Sequence, residues 1–159
     1  MRNDLGMDRV EAQNFVDSWV QGWNAHDLEL LLSHFSDDVI FTSPVAAQLP
    51  NDSDGVIRGK AELREYWAEG LRRIPDLRFE VIDVYIGLHT LVINYRNQKK
   101  TLVNEVLIFD GHLVVQGHGT WDLPWQRRKS GRCDFPMMDR HADVVLDTVF
   151  DPVERAVPR

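Results

Sequence analysis

Glu105 is the residue whose placement most invites chemistry. It shares strand parity with Val103, Leu107 and Phe109, so a regular strand sets its carboxyl on an apolar face. A carboxylate in such a place is costly unless it is paired, neutral or used. Burial raises its pKa. A neutral glutamic acid can then donate a hydrogen bond to a developing oxyanion, and a partly raised one can serve as a base near neutral pH. The competing arrangement is an outward-facing strand residue held in a cross-strand ion pair.

His118 is a second acid–base candidate. It stands between Gly117 and Gly119, so on a regular strand it points away from the face those glycines share, and a bulge would bring it back. The two glycines either leave room where larger side chains could stand or mark a bend in the sheet. The other histidines, His26, His34, His89, His112 and His141, match no ligand spacing, so no metal is expected. Asp37 and Asp38 look like a paired-carboxylate site but read as a solvated turn. The sequence shows no glycine-rich phosphate loop, nucleophile elbow or dinucleotide fingerprint, so no cofactor is expected.

The elements that must position these groups follow from periodicity. Ala12, Phe15, Val16, Trp19, Val20 and Trp23 share one helical face, which predicts a helix over Val10 to Trp23. Asp27 can cap a second short helix whose inner face is Leu28, Leu31, Leu32 and Phe35. After the polar Ser36-Asp37-Asp38 break, Val39 to Thr42 reads as a strand stopped by Pro44. The turn-rich stretch from Val45 to Arg58 is a candidate lid. Lys60 to Arg72 reads as a third helix with Leu63, Tyr66, Trp67, Gly70 and Leu71 on one face. Beyond Pro75 the period changes to two. Strand-like runs cover Leu77 to Val81, Leu91 to Arg96, Thr101 to Phe109 and His112 to Trp121, with Asp110-Gly111 as a hairpin turn. Helices first and hairpins after predict an α+β domain around an antiparallel sheet.

The chain has 159 residues, 43% of them hydrophobic and 27% charged, as expected of a globular domain. A formal charge of -7 argues against a nucleic-acid surface. Apolar runs fall short of the roughly 20 residues that a bilayer span requires. The N-terminal residues lack the apolar stretch of a secretory signal and Cys133 is the single cysteine, which together suggest a cytoplasmic protein. The stretch 122–159 carries seven basic and seven acidic residues. It reads as an extension with a possible short helix over 140–150, where Ala142, Val145, Leu146, Val149 and Phe150 recur at helical spacing.

The strings Trp23-Asn24-Ala25-His26-Asp27-Leu28, Phe35-Ser36-Asp37-Asp38-Val39-Ile40-Phe41 and Gly59-Lys60-Ala61-Glu62-Leu63 resemble the nuclear transport factor 2-like superfamily, and its SnoaL-like branch in particular. The resemblance covers roughly Arg9 to Trp121. It implies a cone-shaped, curved antiparallel sheet with three helices of the N-terminal half on its concave face, an apolar pocket between the two layers, and often a homodimer. In the similar ketosteroid isomerases the strand position of Glu105 holds a protonated aspartic acid. That family's general-base aspartate falls on Ser43 here and its first-helix tyrosine on Trp19, so steroid isomerisation by that mechanism is not expected. By the same alignment the pocket wall takes in Trp19, Phe41, Ser43, Tyr66, Trp67 and Trp121, with Gly117 and Gly119 giving room.

The expected function is that of a small-molecule pocket protein. The leading expectation is a cofactor-independent isomerase, cyclase, dehydratase or hydrolase acting on a small apolar molecule, with Glu105, Ser43 and His118 as candidate catalytic groups. The alternative is a non-catalytic ligand-binding or protein-interaction domain.

Overall fold

The computed structural model describes residues 6–48 and 54–121. The expected 140–150 helix and the rest of the 122–159 extension lie outside these, as do residues 49–53 of the candidate lid.

Helix α1 spans Arg9–Ala25. Asp8 caps it by accepting from the Val10 and Glu11 amides at 2.8 Å each, while the Glu11 carboxylate accepts from the Asp8 amide at 3.1 Å. This reciprocal box satisfies amides that the first helical turn leaves without intrahelical partners. His26 ends the helix in the left-handed region at φ 56°. Helix α2, Leu28–Leu32, follows at once, and the Asp27 side chain accepts from the Leu30 amide at 3.0 Å. The two helices meet closely at Gly22, where a Cβ would stand 2.9 Å from the Leu31 side chain. Helix α3 spans Gly59–Arg73 and buries Leu63 and Trp67.

Six strands form one sheet: β1 Phe35–Thr42, β2 Val56–Arg58, β3 Glu80–Ile86, β4 Thr90–Arg96, β5 Leu102–Asp110 and β6 Leu113–Trp121, in the order β2-β1-β6-β5-β4-β3. The sheet is mixed rather than purely antiparallel. Strands β3 to β6 form a meander of antiparallel neighbours, but β1 and β6 pair in parallel. The parallel pairing is open to them because a long connection, residues 43–112 with α3 included, runs between the two strands.

Strand β1 starts at Phe35, so the Ser36-Asp37-Asp38 segment lies within it rather than ahead of it. Its pairing register shifts between Phe35 and Ile40. Phe35 and Val39 are both fully buried, and the irregular stretch between these anchors leaves Asp37 in solvent, where it pairs with Lys60 at 2.8 Å. The solvated reading of Asp37 therefore holds although the turn does not. Leu77 and Phe79, read as strand from their alternation, precede β3. The Asn24 side chain fixes Phe79 there, donating to its carbonyl at 3.0 Å and accepting from its amide at 2.8 Å. The candidate lid contains a 3-10 turn over Ala46–Gln48 and the whole of β2.

The helices lie on one sheet face, and their rings pack against the inward side chains of the strands. Phe15 meets Phe109 at 5.1 Å, Trp19 meets Tyr95 at 5.3 Å, and Trp67 meets Phe35 at 5.1 Å and Phe41 at 5.8 Å between ring centroids. On β4 and β5 every second residue is buried: Leu91, Ile93 and Tyr95, then Val103, Glu105, Leu107 and Phe109. Among the described residues no helix is long and apolar enough to cross a membrane.

Candidate functional site

Glu105 sits in the middle of the inner face, opposite Ile93 on β4 and Gly119 on β6. It is 5% exposed and is the one buried residue with an ionisable acid or base among the described residues apart from the tyrosine Tyr95. Among the described residues no cation forms the cross-strand ion pair of the competing reading. Its hydrogen-bond partner is instead Tyr95, whose hydroxyl donates to Oε2 at 3.4 Å. Burial pushes the Glu105 carboxyl up to about 7, with the Tyr95 hydrogen bond opposing the rise. Burial, followed by the Glu105 charge, likewise pushes the Tyr95 hydroxyl well above its usual value. A carboxyl in this state exchanges its proton near neutral pH, which is what a general acid or base requires.

Ser43 lies just past the end of β1 and is 8% exposed. Its backbone is held from both sides, the amide donating to Gly55 at 3.0 Å and the carbonyl accepting from Ala47 at 3.2 Å. The approach of Gly55 is close: a Cβ there would stand 2.9 Å from the Ser43 carbonyl oxygen, and its φ of +79° also favours glycine. The Ser43 Oγ accepts from the Tyr66 hydroxyl at 2.9 Å and from the Val45 amide at 3.2 Å. Tyr66 reaches it from α3, and burial pushes that phenol up to about 12.

The two glycines of β6 differ. At Gly117 a Cβ would come within 2.6 Å of the Phe41 ring, so the space is already taken by Phe41 and the expected room is not there. At Gly119 the nearest atoms to such a Cβ are the Thr42 carbonyl at 3.8 Å, then Glu105 Oε2 and Ser43 Oγ at 3.9 Å each. The two polar groups thus border one methyl-sized space.

The register shift between β5 and β6 falls before Gly117, so the strand beyond it alternates regularly. His118 is accordingly turned to the outer face, where its Nδ1 and the Thr42 Oγ1 are 2.7 Å apart. The structure does not bring it to Glu105. Trp67 lies in the core among Trp23, Phe35 and Phe41. Trp19 is 1% exposed within the Trp23, Phe79 and Tyr95 stack, and its Nε1 has no acceptor among the described residues; nor has that of Trp121, across from Val103 on β5.

Sequence reasoning missed Tyr95. The parity of Leu91, Ile93 and Tyr95 was a usable signal for its face. Its meeting with Glu105 depends on the β4–β5 register, in which Tyr95 is the diagonal neighbour of Glu105.

Residues 16–141 match the family of SnoaL-like domains, a span that runs past Trp121, where the sequence motifs end. A SnoaL-like protein of unknown function from Burkholderia thailandensis is 37% identical and superposes with a TM-score of 0.70, the match covering 74% of this chain and 98% of that one. AclR, a putative hydroxylase from Streptomyces galilaeus, is 19% identical with a TM-score of 0.57, over 72% of this chain and 91% of that one. TerC, co-crystallised with polyporic acid, is 13% identical with a TM-score of 0.60, over 70% and 92%. These last two show a shared fold. A comparison with curated proteins finds no match. The chain belongs to the SnoaL-like domain family of the nuclear transport factor 2-like superfamily.

Proposed function

We propose that the chain is a cofactor-independent enzyme of isomerase, cyclase, dehydratase or hydrolase type. Its substrate is a mostly apolar molecule with a polarisable carbonyl, hydroxyl or epoxide oxygen, held in a pocket beside Glu105. The observation that carries this reading is the Glu105 carboxyl, buried on the inner face with Tyr95 as its partner. Burying such a group is unfavourable, and a site that uses its raised pKa explains why it is there. A single carboxyl of this kind suits reactions in which one group removes and returns a proton, or steadies a developing oxyanion. TerC, a protein of the same fold, was co-crystallised with polyporic acid, which supports a small-molecule ligand for a domain of this kind. Ser43 is a polar orienter here, and so is Trp19, whose indole N–H lacks an acceptor. His118 has no part in the reading.

The test is a screen of apolar ketones, esters and epoxides with the wild-type chain and Glu105→Gln side by side. Turnover by the wild type that is lost in the variant is expected. Equal turnover by both removes Glu105 from the chemistry. Binding without turnover by either would favour the second reading, a non-catalytic ligand carrier, for which the absence of another buried acid or histidine among the described residues speaks.

The resemblance also implies a homodimer, and we propose that it forms through the outer face of the sheet. There Tyr85, Val92 and Val106 line up across β3, β4 and β5, opposite to the helices. Sedimentation of a monomer at micromolar concentrations would refute it.

A further inference from the structure

His118, which the proposed chemistry leaves aside, stands at the middle of the outer sheet face. The registers place it in one row that crosses all six strands: Val56 on β2, Thr42 on β1, His118 on β6, Val106 on β5, Val92 on β4 and Tyr85 on β3. The strand order puts the centre of this row between His118 and Val106. Histidine is the one side-chain type in the row that changes charge between about pH 5 and 8. Its surroundings on this face are uncharged, with Ile40 and Thr42 on β1, Asn104, Val106 and Ile108 on β5, and Gln116 and Thr120 on its own strand. Charged groups stand beyond these, Arg58 on β2, Arg96 on β4, Glu80 and Asp83 on β3, Asp110 at the end of β5 and Asp38 in the irregular stretch of β1. The ring is half-buried, and its Nδ1 lies 2.7 Å from the Thr42 Oγ1. A hydroxyl both donates and accepts, so this bond persists when the ring takes up a proton, Thr42 then accepting from Nδ1–H. A protonated ring therefore stays on the face with its charge.

We propose that His118 is a pH sensor that weakens the association of two copies of this chain as the medium turns acidic. The inference rests on the outer-face homodimer proposed above and adds its regulation. Two sheets related by a two-fold axis in the interface plane present the same patch to each other. With the axis through the centre of the row, along or across the strands, the row is carried onto itself. His118 then meets Val106 of the partner subunit in the one case and His118 of the partner subunit in the other. Neither is an anion. A neutral imidazole is compatible with such a contact, whereas an imidazolium there is stripped of water beside an apolar side chain or a like charge. Separation returns the ring to solvent, where the charged form is favoured again. Dissociation thus takes up protons, and the dimer weakens as pH falls. The Glu105 carboxyl acts in the opposite sense. Buried and pushed up to about 7, it stabilises the fold more as pH falls, so it is no alternative source of separation in acid.

The test is sedimentation velocity of the full chain at micromolar concentrations, at about pH 8 and about pH 5.5, with circular dichroism on the same samples to check the fold. The wild type is expected to be dimeric at the higher pH, with a dissociation constant that rises on the order of 100-fold at the lower, a tenfold factor for each of the two histidines. His118→Gln, neutral at both, should stay dimeric throughout. His118→Lys, charged at both, should be monomeric throughout. Acid also acts on the fold through His34, which burial holds below the ordinary histidine value beside Ser18 of α1. Every variant shares that effect, so the difference between wild type and His118→Gln isolates His118. A wild-type dimer that holds equally at both pH values, or that loosens as much in His118→Gln, overturns the sensor and leaves the outer-face dimer standing. A wild type that is monomeric at about pH 8 removes the dimer and the sensor with it.

Discussion

Glu105 and Gly119 face each other across β5 and β6, and the carboxyl Oε2 reaches to 3.9 Å from where a Gly119 side chain would begin. An acid directly opposite a glycine on a buried sheet face has no side chain beside it from that strand, and its other cross-strand neighbour, Ile93 of β4, is apolar. Its environment is set instead by burial and by the Tyr95 hydroxyl. The consequences can be measured even before a substrate is known.

Glu105 makes stability depend on pH with a definite sign. Its folded-state value of about 7 exceeds the ordinary 4.5 of the unfolded chain, so the folded state holds the extra proton between those limits. Stability from this group is therefore full below about 4.5, falls as pH rises towards 7 and stays low above it. The loss is on the order of 3 kcal/mol. Glu105→Gln, which has no charge to bury, should flatten this fall in urea melts taken from pH 4.5 to 8 and be the more stable protein at pH 8. An unchanged slope would place the carboxyl in solvent.

Removing the Tyr95 hydroxyl should raise the Glu105 pKa further. The hydrogen bond opposes the upward shift by favouring the carboxylate, so Tyr95→Phe takes away that relief and leaves the desolvation. The midpoint of the pH-dependent stability loss is expected to move above about 7. A downward movement would mean that Tyr95 favours the neutral acid.

Gly117→Ala and Gly119→Ala should have opposite signs. The first drives a methyl to 2.6 Å from the buried Phe41 ring and should cost about 1–3 kcal/mol. The second meets open contacts and should be neutral or stabilising by about 0.5–1 kcal/mol, as expected when alanine replaces glycine in a strand. Thermal or urea melts of the two variants decide this, and equal destabilisation by both would contradict the difference in space.

Asn24→Ala should cost about 1–3 kcal/mol, because the substitution strips both the amide and the carbonyl of Phe79 of their partner. Amide exchange at Phe79 should quicken at the same time. Exchange as slow as in the wild type would show that another group holds this connection.

What was legible in the sequence was whatever is periodic or local. The α1 face from Ala12 to Trp23, the Asp27 cap and the alternation through Val103, Glu105 and Leu107 each follow from neighbours in the chain. The three helices and the curved sheet were legible too, through the Trp23–Leu28 and Phe35–Phe41 strings. Pairing was not. That β1 runs parallel to β6, and that Tyr95 reaches Glu105 diagonally, depends on register between distant strands. The difference between Gly117 and Gly119 was hidden for the same reason, since Phe41 fills one gap from a strand more than seventy residues earlier in the chain. Ser36 to Asp38 misled because a polar run reads as a turn, whereas the burial of Phe35 and Val39 on either side carries the strand through it.

A carbon-13 NMR titration of the glutamate side-chain carboxyls, with Glu105 assigned by its absence in Glu105→Gln, would probe this site at its source. An inflection of the Glu105 signal near pH 7 is expected. An inflection near 4.5 would show a solvated carboxylate and remove both the acid–base role and the ligand site built around it.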